Sequence, residues 1–192
     1  MQLMYLLSDT IPEGEREAYA DIAISALDLL TLYDRLVDAI GWFARKSLHG
    51  KPERETADLT FDAFRRARES EIGGLFVRLA DHLQVPGERT EFTSVYARVN
   101  ATRNHIAHAS DMVADTRAGK AGIAITYYWG HRKRLGSLDG KSWVSKGLLA
   151  KRYREAEWML LHVAWSRAHL GISPDEYTPP EGAPKVSPPT KP

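Results

Sequence analysis

The 192-residue chain has no cysteine. That excludes disulfides and Cys-ligated zinc, and it fits a reducing compartment. Charge of one sign is also missing: the formal net charge is +1, so no global field argues for nucleic acid or an anionic surface. No run approaches the roughly 20 apolar residues that a membrane-spanning helix needs. The opening Met1-Gln2-Leu3-Met4-Tyr5-Leu6-Leu7 is too short for a signal peptide and lacks a basic leader. The expectation is a cytoplasmic protein with no membrane partner. There is no Gly-rich phosphate loop ending in Lys-Ser/Thr, no Gly-x-Ser-x-Gly and no convincing pair of catalytic carboxylates. Proline is scarce until Ser173, after which seven of the ten occur: Pro174, Pro179, Pro180, Pro184, Pro188, Pro189 and Pro192. Residues 1–172 therefore read as one folded domain, and 173–192 as an extended or disordered Pro-rich tail.

What is present is mostly helical periodicity. Thr10 followed by Glu13 forms a capping-box pattern, and Ile22, Ala26, Leu29, Leu30, Tyr33, Leu36, Val37, Ile40 and Ala44 recur at helical spacing. The spacing predicts a long first helix from about Pro12 to His49-Gly50. A second is predicted from about Leu59 to Leu83, with Gly73-Gly74 inside it marking a kink or a close contact. A third runs from about Arg89 to His108, and a last from about Lys146 to Leu170. Between the last two, Gly122-Ile123-Ala124-Ile125-Thr126-Tyr127-Tyr128-Trp129 is β-branched and aromatic, and Asp139-Gly140 is a hairpin signal. The fold class is all-α, with a small β-hairpin excursion at about 112–145 before the last long helix.

Charge is unevenly distributed. From Met1 to Thr60 there are eleven acidic residues against six basic ones, whereas His131–Arg154 carries eight bases against Asp139 alone. That stretch reads either as a phosphate-facing surface or as a solvated loop and helix start. Within it, Arg132, Lys133 and Arg134 follow Tyr127-Tyr128-Trp129 and His131, mixing cations with stacking surfaces as single-stranded RNA binding requires. Aromatic strands also pack cores, so both readings stand.

The chemically suggestive segment is Arg103-Asn104-His105-Ile106-Ala107-His108, at the end of the third helix. Arg103 is a permanent forked cation suited to a phosphate, and His108 is a side chain able to exchange a proton near neutral pH. Five residues of helix separate them by about 140° in projection, whereas Asn104 and His108, four apart, share a face. One helix does not aim Arg103 and His108 at one phosphate, which favours a composite site across a two-fold axis. The alternative is a helix-end salt bridge and cap. His105, His108 and Asp111 form a weaker metal-ligand pattern, with no further ligand cluster around it. His162 and His169, seven apart beside Trp158 and Trp165, read as the polar edge of a packed helix.

An all-helical chain carrying Arg-Asn-x-x-Ala-His at the end of its third helix resembles the HEPN superfamily, particularly the HEPN proteins of toxin–antitoxin and phage-defence systems. The resemblance covers about Pro12 to Leu170, and its specific part is Arg103 to His108. It implies an antiparallel helical bundle acting as a homodimeric endoribonuclease that needs no metal or other cofactor. By position, Arg103 would stabilise the phosphate, Asn104 would be its polar companion and His108 the catalytic histidine. RNA and an antitoxin protein would be the partners. The alternative is a non-catalytic dimer that binds RNA or protein. The β excursion is less typical of the family.

Overall fold

The computed structural model describes residues 13–51, 59–109, 111–117, 119–126 and 141–172. Among the described residues, five helices and three strands follow in chain order: α1 (Glu13–Leu48), α2 (Phe61–Arg66), α3 (Glu69–His82), α4 (Phe92–Ala107), β1 (Asp111–Arg117), β2 (Lys120–Thr126), β3 (Lys141–Ser145) and α5 (Lys146–His169). The described residues are mostly helical with one small antiparallel sheet. No helix among the described residues is long and apolar enough to cross a membrane. The proposed Thr10 cap, the Tyr127-Tyr128-Trp129 run, His131, Arg132, Lys133, Arg134, the Asp139-Gly140 turn and the Pro-rich tail lie outside the described residues.

Contacts divide the chain into two compact units, residues 1–33 with 98–154 and residues 34–97 with 155–192, so α1, α4 and α5 contribute to both. In the first unit, Ile22, Ala26, Leu29 and Tyr33 of α1, Val99 and Ile106 of α4, Ile123 and Ile125 of β2, and Leu149 of α5 are buried. Their i, i+4, i+7 spacing on α1 and alternation on β2 are the periods of a one-sided helix and strand. The sheet has order β1-β2-β3. It is larger than the expected hairpin. β1 pairs with β2 from Asp111↔Thr126 to Arg117↔Lys120, leaving a two-residue connection, and β2 pairs with β3 from Gly122↔Ser145 to Thr126↔Lys141. The polar composition of Asp111–Arg117 and the absence of an Asn-Gly or Asp-Gly signal after it conceal β1 in the sequence.

The second unit centres on Phe43, Phe76 and Phe92. The Phe43 and Phe76 rings meet edge-on at 5.6 Å, and Phe76 lies 4.8 Å from Phe92. Here the single second helix expected over 59–83 is corrected to two. Ala67 and Arg68 are extended, at ψ 143° and 150°, and break it. The Thr60 hydroxyl accepts from the Ala63 N–H at 3.1 Å to start α2, and the Glu71 carboxylate accepts the Arg68 N–H at 3.0 Å to start α3. Arg65-Arg66 at one helix end and Glu69/Glu71 at the next helix start match the signs of the two helix dipoles. Gly73 marks a close contact: a Cβ there would overlap the ring of Tyr96, whose hydroxyl donates to the Glu69 carbonyl at 2.7 Å. α4 begins at Phe92 rather than Arg89, because the buried Arg89 side chain donates to Asp81 Oδ1 and to the Pro86 and Val85 carbonyls in the preceding turn.

Candidate functional site at the end of α4

The end of α4 lies in the first unit. After Ala107 the helical bonding continues for one residue, the His108 N–H donating to the Asn104 carbonyl at 3.0 Å, and then tightens as the Ala109 N–H bonds the Ile106 carbonyl at 3.3 Å. β1 starts at Asp111. His108 is exposed at this terminus, whereas Arg103 and Asn104 are half-buried one turn earlier.

Arg103 and Asn104 are brought into direct contact. The Arg103 Nη1 donates to Asn104 Oδ1 at 3.1 Å, and Asn104 Nδ2 donates to Asn100 Oδ1 at 3.2 Å. The same Asn100 oxygen accepts the Tyr33 hydroxyl at 2.8 Å, using both of its lone pairs. The Arg103 guanidinium carbon in turn sits 5.2 Å from the Tyr33 ring centre, within cation–π range. Arg103, Asn104, Asn100 and Tyr33 therefore close a ring of contacts. Tyr33 is fully buried and Asn100 nearly so, which gives the ring a rigid base. A charged hydrogen bond contributes about 1.5–3 kcal/mol and a cation–π contact about 0.5–2 kcal/mol. The guanidinium is thus held in position before any ligand arrives.

Sequence reasoning missed Asn100 and Tyr33 as site residues. Asn100 carried a usable signal, since it lies four residues before Asn104 on the same helical stripe and interrupts an otherwise apolar face. Tyr33 carried none, because its spacing is that of an ordinary core position. A further connection comes from α5: Arg152 Nε donates to the Thr102 hydroxyl at 3.3 Å, and that hydroxyl donates to the Arg98 carbonyl at 3.1 Å. Arg152, from the basic stretch, is therefore tied to the residue beside Arg103. Lys146, from the same stretch, pairs with Asp21 at 3.0 Å on an exposed surface. Arg132, Lys133 and Arg134 cannot be added to the site, since they lie outside the described residues.

His105 is half-buried, and desolvation lowers its pKa, favouring the neutral ring. Among the described residues, no three His, Asp or Glu side chains cluster as a metal site. In the second unit His162 is fully buried, not the polar edge expected from the sequence. Its ring meets Trp158 at 4.4 Å and Phe92 at 5.9 Å, both edge-on. Burial first, and the nearby Arg89 charge second, push its pKa down to about 4. His169 is exposed and tilts against Trp165 at 6.3 Å.

Chemically, the α4 terminus offers an oriented cation followed, five residues on, by an exposed imidazole. Compared with known proteins, the chain matches no family model, no curated protein and no solved structure.

Proposed function

We propose that the protein is a HEPN-like, metal-independent endoribonuclease that works as a homodimer, with Arg103, Asn104 and His108 at its active centre. The observation that carries this reading is the Arg103 guanidinium, bonded to Asn104 and placed over the Tyr33 ring, at a helix end that finishes in the exposed His108. In the reaction, the imidazole of His108 takes the proton of a ribose 2′-hydroxyl. The 2′-oxygen forms a bond to phosphorus, the bond from phosphorus to the 5′-oxygen breaks, and a proton passes to that leaving oxygen. Arg103 stabilises the charge that builds on the non-bridging oxygens. The products are a 2′,3′-cyclic phosphate and a 5′-hydroxyl, and DNA, lacking the 2′-hydroxyl, is not a substrate. Asn104 holds the guanidinium plane.

Helix geometry favours the two-fold arrangement, since Arg103 and His108 project about 140° apart, so in this reading each active centre draws on both copies. An antitoxin protein belongs to the same reading as the regulator of such a nuclease. The test is cleavage of a defined RNA in chelator, with the ends mapped chemically. His108→Ala and Arg103→Ala are each expected to abolish cyclic-phosphate formation while helical content stays at wild-type level. Undiminished cleavage by His108→Ala overturns the assignment. Retained RNA binding by a wild-type protein that never cleaves would instead support the non-catalytic dimer.

A further inference from the structure

The second unit carries an open groove of about 540 Å³ whose walls include Val37, Gly41, Trp42, Phe61, Phe64 and Ile72. Trp42, Phe61 and Ile72 are only half-buried, so aromatic and aliphatic surface faces outward. At the rim stand Arg45 and Arg65, with Asp38 as the opposing charge. Arg65 shares Asp62 with Arg66, at 3.4 and 3.6 Å, so two guanidiniums divide one carboxylate. The ring of Trp42 is also overlain by cations, Lys46 at 5.5 Å and Arg167 at 4.2 Å from its centre. The Arg167 Nε is buried and has no hydrogen-bond partner among the described residues. Desolvation also lowers the Arg167 pKa, so an anionic partner beside it would be stabilising. An aromatic trough with a cationic margin fits an extended, acidic, proline-containing peptide, since proline rings in the polyproline II conformation pack on aromatic walls.

The geometry of the end of α5 supplies the occupant. The Gly171 N–H bonds the Ala168 carbonyl at 3.1 Å and the Ile172 N–H bonds the Arg167 carbonyl at 2.9 Å, with Gly171 at φ +64°. This pair of bonds is a Schellman cap, which turns the chain back beside the last helical turn. The chain therefore leaves α5 next to Arg167, the residue lying on Trp42. The sequence that follows is Ser173-Pro174-Asp175-Glu176-Tyr177-Thr178-Pro179-Pro180-Glu181, with three acids and no base, whereas the two tail lysines, Lys185 and Lys191, come later. Six residues from Ile172 to Thr178 reach about 19 Å in polyproline II form.

We propose that segment Asp175–Glu181 of this same chain seats in the Trp42 groove, with its prolines on the aromatic wall and its carboxylates toward Arg45, Arg65 and Arg167. The segment covers the apolar surface and supplies an anion to the desolvated Arg167.

The absence of native cysteine makes the test clean. A nitroxide attached to Thr178→Cys in the full-length, 15N-labelled chain should erase the Trp42 indole N–H resonance, assigned by its loss in Trp42→Phe. Reducing the nitroxide should restore it. The exposed double charge reversal Arg45→Glu/Arg65→Glu should also return most of the signal. A Trp42 resonance untouched by the label overturns the proposal, as does erasure that survives the charge reversal. Mixing unlabelled-nitrogen chains bearing the nitroxide with 15N chains lacking it should leave Trp42 unaffected. Erasure in that mixture means the tail seats in a neighbouring copy, which overturns docking within one chain.

Discussion

The hydroxyl of Tyr33 on α1 donates to Asn100 Oδ1 on α4 at 2.8 Å, joining positions 67 residues apart in the chain. The bond orients Asn100, which receives Asn104, which in turn receives Arg103. The same tyrosine ring lies beneath the Arg103 guanidinium. One core side chain thus positions the cation twice, once through its hydroxyl and once through its face.

Separating these two roles gives the first prediction. Tyr33→Phe keeps the ring and deletes one hydrogen bond, so its cost should be about 0.5–1.5 kcal/mol. Tyr33→Leu deletes the aromatic face as well and leaves a smaller side chain in the core, so it should cost about 2–4 kcal/mol. Urea unfolding of both variants checks the order. Equal losses would mean that only the hydroxyl contributes and the ring itself adds nothing.

Assembly is tested by mixing. If the proposed ribonuclease is a homodimer with a shared active centre, mixing Arg103→Ala and His108→Ala protomers, each expected to be inactive alone, should recover part of the rate, because heterodimers restore one arrangement with both groups intact. Single-turnover cleavage after mixing measures this. Full activity in a wild-type protein that sediments as a monomer at assay concentration contradicts a shared active centre.

Gly73 should not tolerate alanine. Helix propensity alone favours Gly73→Ala by about 1 kcal/mol. The added methyl, however, would collide with the Tyr96 ring, and overpacking costs about 1–3 kcal/mol. Gly74→Ala, which meets nothing within 4 Å, should be stabilising. A thermal melt of each variant should move in opposite directions.

Acidification should act through His162. Its folded pKa, near 4, lies below the ordinary value of about 6.5, so between these limits the unfolded chain binds a proton that the folded chain refuses. Stability is then complete above about pH 6.5 and falls as pH is lowered toward 4, by about 3 kcal/mol at the low end. His162→Leu should flatten that slope without loss at neutral pH, since neither ring nitrogen has a hydrogen-bond partner among the described residues. The difference between the wild-type and variant stability curves isolates His162 from the carboxylates. A slope unchanged by the substitution would assign the acid sensitivity elsewhere.

The long helices were legible in the sequence because each buries a stripe that repeats at their own period. α1 and α5 end within a residue or two of the expected positions, where Gly50 and Gly171 adopt positive φ. Local order alone was also enough to place Arg103, Asn104 and His108 at the end of a helix, since periodicity stops at Ile106. The α2–α3 break was written locally too, as an Arg-Arg-Ala-Arg-Glu-Ser-Glu run, but the continuous apolar pattern on either side masked it.

Tertiary structure decided the partners, because a side chain's neighbours across the core have no fixed offset in sequence. Tyr33 has the spacing of any core residue, and only folding sets its hydroxyl on Asn100 and its ring under Arg103. His162 has the spacing of a helix edge, yet packing against Phe92 and Trp158 closes it off from water and holds it neutral. β1 likewise exists through its pairing with β2, whose hydrogen bonds satisfy a backbone that its own residues give little reason to extend. Sequence determined which helices form and what chemical groups they carry; the packing of those helices determined which groups meet, and so which cation is fixed and which histidine stays uncharged.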